Sequence, residues 1–189
     1  MEEGGADEFS TRFIETLCGW LTEGSPLTSL VIVDAALCGQ ARDGNGSYQH
    51  EAIGLLIDCL SAPTAEPHPE IDSETDSREA APQRLISLNI SGCRLRDDDA
   101  HLMGAGLACN SSLERLVVDR TALSVQQMAR SQRLSLSGVD FSDVDATLMS
   151  QLLLQNTVLA SIDLCGTKPL AREIKVLSDT FPEPSLNLP

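Results

Sequence analysis

Apolar side chains recur along this chain at fixed intervals. In the stretch from Leu85 they fall on Leu85, Leu88, Ile90, Cys93 and Leu95, at relative positions 0, 3, 5, 8 and 10. Leu113, Leu116, Val118, Thr121 and Leu123 repeat those intervals 28 residues later. The middle of each interval alternates, which sends Leu88 and Ile90 to one face of an extended strand and Ser87, Asn89 and Ser91 to the other. Cys93 then falls where the chain leaves the strand, a crowded inner corner that suits a small thiol. Beyond Leu95 the spacing becomes helical. Asp97, Asp98 and Asp99 supply an N-cap and favourable charge at the positive helix end, Leu102, Met103 and Leu107 form the expected buried stripe, and Asn110 closes the turn.

The same intervals occur at Leu27, Leu30, Ile32, Ala35 and Leu37, at Ser131, Leu134, Leu136, Val139 and Phe141, and at Leu159, Ile162, Leu164 and Thr167. Unit starts at 27, 85, 113, 131 and 159 are separated by 58, 28, 18 and 28 residues. The long step requires an insertion. The short one leaves only SVQQMARS, which predicts a single helical turn or a loop. Five strands are expected near 28–33, 86–91, 114–119, 132–137 and 160–165, paired in parallel as one curved sheet. A single unit has too few apolar side chains to offset the entropy of ordering it, so such units stabilise one another by stacking.

With Cys93 at the turn and helix endings LACN and LLLQN, the 28-residue copies resemble the ribonuclease-inhibitor class of leucine-rich repeat. The resemblance covers roughly residues 27 to 170. It implies an α/β solenoid, with a short curved parallel sheet on the concave side and helices on the convex side. Members of that class bind proteins, act as scaffolds or regulate GTPases, and the repeat itself carries no catalytic residue.

The flanks read as end caps. Residues 1–26 hold an acidic tail and an amphipathic helix over 7–24, with Phe13, Leu17, Trp20 and Leu21 at helical spacing; it is expected to shield the open end of the solenoid, with partner binding as the alternative. Residues 171–189 hold a second capping stripe, continuing from Leu170 through Ile174 and Leu177, and then an extended tail after Pro182 and Pro184. Within the repeats, 61–83 is rich in Pro and acidic residues and reads as a solvated excursion whose Ser73, Thr75 and Ser77 could suit an acid-directed kinase. Gly44, Asn45 and Gly46 lie in a Gly-rich loop without the Lys-Ser or Lys-Thr that a phosphate loop needs.

Composition narrows the function. The formal net charge is −15, and the isoelectric point of about 4.4 opposes phosphate backbones and anionic membranes, so neither nucleic acid nor membrane is an expected partner. One Trp, one Tyr and four Phe leave a core built of Leu, Ile, Val and Ala. No apolar run is long enough to cross a membrane, and MEEGGADE lacks the basic start of a signal peptide. A cytoplasmic location is therefore expected, with a cytoskeletal or other large assembly as candidate host. Cys93 and Cys165 are assigned to the same corner position, and no Cys or His spacing suits zinc. No cofactor, metal ligand or catalytic set is expected.

Function is then left to surfaces. The exposed strand positions that would contact a protein partner are Asn89, Arg115, Val117, Asp119, Arg133, Ser135 and Asp163, with Arg115 and Arg133 forming one column on adjacent units. The leading reading is a noncatalytic interaction or scaffold module, a small structural subunit of a larger intracellular assembly. The alternative is a regulator of an enzyme, such as a GTPase activator presenting Arg42 or Arg120 from a loop.

Overall fold

A computed structural model describes residues 5–22, 25–38, 48–61, 85–167 and 185–187. Helix α1 (Gly5–Thr22) precedes strand β1 (Ser29–Val31) and helix α2 (Glu51–Ser61). β2 (Ser87–Asn89) and α3 (Asp97–Gly106) follow, then β3 (Arg115–Val117), β4 (Ala122–Ser124) and the six-residue α4 (Val125–Arg130). β5 (Arg133–Ser135), α5 (Asp143–Leu154), β6 (Ser161–Asp163) and β7 (Ser185–Asn187) complete a mixed α/β fold. Arg42, the Gly-rich loop, nearly all of the acidic insertion and the expected C-terminal helix lie outside the described residues.

Strand pairing follows the repeat register. Ser29, Ser87 and Arg115 are parallel partners across β1, β2 and β3, and Arg133, Ser161 and Ser185 are parallel partners across β5, β6 and β7. Each of the first five partners stands two residues after a unit start. Alternation puts the following residue inward, so Leu88, Leu116, Leu134 and Ile162 are buried. Ile90, Leu113 and Leu164 are fully buried beside them, and each such side chain contributes about 1.5–3 kcal/mol of burial.

The single five-stranded sheet expected from the spacing is divided in two. β4 folds back antiparallel on β3, with Leu123 opposite Leu116, and occupies the edge that β5 would have used. The division falls at the 18-residue step. At the turn position seven residues into the other units stand Asp34, Gly92, Gly138 and Gly166, with φ of 54°, 74°, 70° and 70°. Arg120 occupies that position after β3 and is not left-handed. The chain there reverses onto its own strand instead of leaving for the helix side.

The helices nevertheless pack in succession: α1 on α2, α2 on α3, and α3 directly on α5, with α4 to the side of α5. Gly104 of α3 permits that approach, because a Cβ there would collide with the Gln151 side chain. Two helical stripes differ from expectation. On α1 the buried residues are Ile14, Leu17 and Leu21, while Phe13 and Trp20 are exposed. On α3, Ala100, Met103 and Gly104 face inward, followed by buried Leu107 just past its end, and Leu102 is exposed, since 100° per residue carries position 102 off that face. Arg96 is the N-cap residue, and Asp97–Asp99 form the first turn.

Asparagines stitch neighbouring units together. Asn110 donates to the Leu60 carbonyl at 2.7 Å and accepts from the N–H groups of Ser112 and Leu113. Asn156 donates to the Met128 and Ser131 carbonyls, both at 2.9 Å, and accepts from Val158 N–H. Cys93 is buried and its thiol donates to the Ile32 carbonyl at 3.2 Å. Cys165 does not share that corner: it is exposed, six residues into its unit rather than eight, and buried Thr167 stands where Cys93 does.

Candidate interaction surface

In β1, β2, β5 and β6 the middle residue is the least exposed and its two neighbours face outward. Ser29 and Val31 of β1, Arg115 of β3, and Arg133 and Ser135 of β5 are exposed; Ser87, Asn89, Ser161 and Asp163 are half-buried. These are small or polar side chains on a row of short strands, which makes the outer face shallow.

Of the expected contact residues, Ser135 and Asp163 are brought together. The Ser135 hydroxyl donates to Asp163 Oδ2 at 3.4 Å, and Asp163 Oδ1 accepts from Cys165 N–H at 3.0 Å. Asn89 spends its carbonyl oxygen on Ser91 N–H at 3.0 Å. Arg115 and Arg133 do not form a column on paired strands, because β4 lies against β3 and places the two arginines in different sheets. Val117 is only 8% exposed, in register with Ala122 of β4, so it is withdrawn from the face where alternation alone had placed it. Asp119 stays exposed, 4.0 Å from Arg120 Nε.

The loop between β3 and β4 is held from α5. Asp145, fully buried, accepts from the N–H groups of Asp119, Arg120 and Thr121 at 3.3, 3.1 and 3.2 Å, and Ser142 and Asp145 form a capping box. Arg120 therefore presents an exposed side chain from a fixed backbone.

A second cluster was not legible as a site. Asp99, also fully buried, accepts from the Tyr48 hydroxyl, from Arg96 N–H at 2.8 Å, and lies 3.2 Å from His50 Nδ1. Arg96 stacks over the Tyr48 ring at 3.7 Å, and the His50 ring stands edge-on to it at 4.9 Å. Desolvation pushes the Asp99 carboxyl above its ordinary range, against the lowering effect of Arg96 N–H. With its oxygens occupied, this carboxyl fastens the re-entering segment at Tyr48 to the start of α3. The signal was periodic: Asp99 and Asp145 both stand fourteen residues after a unit start, as Asn110 and Asn156 both stand twenty-five after one.

Among the described residues, no group of three or more His, Cys, Asp and Glu side chains is arranged to hold a metal ion, and no helix is long and apolar enough to cross a membrane. No protein-family model matches this chain, and no curated protein matches it.

Proposed function

We propose that this chain is a leucine-rich-repeat solenoid of the ribonuclease-inhibitor class that serves as a noncatalytic protein-binding or scaffold module, a small subunit of a larger intracellular assembly. The outward strand face carries the reading: it repeats in register over β1–β3 and again over β5–β7, and several of its side chains are open to solvent. A shallow repeated face of small residues fits an extended contact, in which a few arginines contribute most of the binding energy. The −15 net charge supports a protein partner over a polyanion.

Affinity capture with mass spectrometry tests the reading, comparing the native chain with an Arg115→Glu, Arg133→Glu double variant. Both side chains are exposed, so the variant should melt as the native chain does and lose a stoichiometric partner. An unchanged partner set would remove the strand face from the proposal. Arg120 supports a second reading, a GTPase regulator, because its backbone is fixed while its side chain is exposed beside Asp119. GTP turnover by candidate GTPases would then rise with the native chain and not with Arg120→Ala.

A further inference from the structure

Ile14, Leu17, Cys18 and Leu21 occupy the i, i+3, i+4 and i+7 positions of one stripe on α1, the helix that packs on α2. Ile14, Leu17 and Leu21 are buried, whereas Cys18 is half-buried and so marks the rim of the contact. Across that rim stands buried Cys59 of α2. Cys18 Sγ lies 3.6 Å from the Leu55 carbonyl oxygen, and Cys59 Sγ lies 3.9 Å from the Cys18 carbonyl oxygen. Leu55 is one helical turn before Cys59, and a helical side chain leans over the turn before its own, so both sulfurs converge on the same turn of α2. The two thiols hydrogen-bond to each other.

Packing alone accounts for Cys38 and Cys93. Both are buried, and desolvation pushes their thiols up to about 12 and about 11, which keeps them protonated and unreactive. Cys18 and Cys59 differ, because each sulfur faces the other. Their mutual hydrogen bond lowers the Cys59 thiol from its ordinary value against the effect of burial, while the same bond, burial and the neighbouring Cys59 and Asp58 charges raise the Cys18 thiol. We propose that Cys18 and Cys59 are a redox-sensitive pair, which hydrogen peroxide converts to a disulfide that clasps α1 to α2. The Cys59 thiolate attacks one peroxide oxygen, the O–O bond breaks and hydroxide leaves, so Cys59 becomes a sulfenic acid. Cys18 then gives up its proton and attacks Cys59 Sγ, forming the S–S bond as the S–O bond breaks and a second hydroxide leaves. Two electrons pass from the thiols to the peroxide, and the two thiol protons turn both hydroxides into water. The bond joins residues 41 apart in sequence, and the clasp is independent of what the strand face binds.

The full chain is treated with hydrogen peroxide, alkylated in denaturant and digested without reductant. Peptide mapping should find Cys18 linked to Cys59, a link lost on treatment with dithiothreitol, while Cys38 and Cys93 are recovered as alkylated thiols. The linked form should melt about 5–10 °C above the reduced form, and the Cys18→Ser, Cys59→Ser double variant should show no such peroxide-dependent shift. Cys18→Ser keeps a hydroxyl that can donate to Cys59, so peroxide should leave a Cys59 sulfenic acid that dimedone traps. The mapping of the native chain needs no variant to fold. Absence of the linked peptide once exposed Cys165 is fully oxidised overturns the proposal. So does oxidation of Cys38 and Cys93 at the same rate as the pair, which would mean that peroxide acts on an opened chain, or linkage of Cys18 or Cys59 to Cys165. A linked form that melts no higher than the reduced one overturns the clasp, and dimedone labelling in Cys18→Ser that spares Cys59 overturns the order of attack.

Discussion

The carboxylate of Asp145 accepts the backbone N–H of Thr121 at 3.2 Å across 24 residues of sequence, and so ties the start of α5 to the loop where the sheet divides. Asp119, Arg120 and Ser142 donate to the same side chain. Charge-assisted bonds of this kind are each stronger than neutral ones, and breaking them strands a buried capping position. Asp145→Ala should cost about 2–4 kcal/mol and Asp145→Asn about 1–2 kcal/mol, because the amide keeps one acceptor oxygen. Urea denaturation measures both; losses near zero would mean that the loop is held by its own hairpin.

Asp99 should give a pH signature of opposite sense to an ordinary paired carboxylate. Burial raises its folded-state pKa above the unfolded value, so as pH falls the native state takes up the proton first. The cost of burying its charge is therefore fully present at neutral pH and relieved as pH falls through the raised value. Measured by thermal melts, the stability of the native chain relative to Asp99→Asn should grow from pH 7 towards acid and level off below the ordinary aspartate range. A difference that shrinks with falling pH would show that Tyr48, Arg96 and His50 outweigh desolvation.

Asn110 and Asn156 fill equivalent places at the ends of their units. Removing either amide leaves a preceding carbonyl without its donor and a turn without its acceptor. Asn110→Ala and Asn156→Ala should each cost about 2–3 kcal/mol. Because they act on separate helix ends, the double variant should show nearly the sum in denaturant melts. A marked shortfall would mean that the two ends unfold together.

Thiol chemistry should divide the cysteines by place. Burial pushes the Cys38 thiol up to about 12, with Asp99 adding to it, and the Cys93 thiol up to about 11, whereas Cys165 is exposed. Iodoacetamide at pH 8 should modify Cys165 first and Cys93 and Cys38 about tenfold or more slowly, since the thiolate is the reacting form. Peptide mapping reads the order. Early modification of Cys93 would mean that the corner behind β2 opens readily.

The sequence by itself determined the strands and their inward residues, because a period-two alternation inside a recurring interval leaves one pairing register that turns every copy inward: Leu88 and Leu116, with half-buried Leu30 on the edge strand, in one set, Leu134 and Ile162 in the other. It also held a strand that spacing from a leading Leu did not reveal. SLNL at 185–188 repeats the SLNI of 87–90, and β7 lies on β6 accordingly. What only the tertiary structure decided was which neighbours meet. Periodicity states which side of an element is apolar, not whether the next unit lies against it. The turn at Arg120 sent β4 back onto β3, parted Arg115 from Arg133 and withdrew Val117. On α1 both Phe13 and Leu17 fit a helical stripe by number. Only the position of α2 settled that Leu17 is covered while Phe13 and Trp20 remain open, because burial belongs to a pair of surfaces and one surface alone does not specify it.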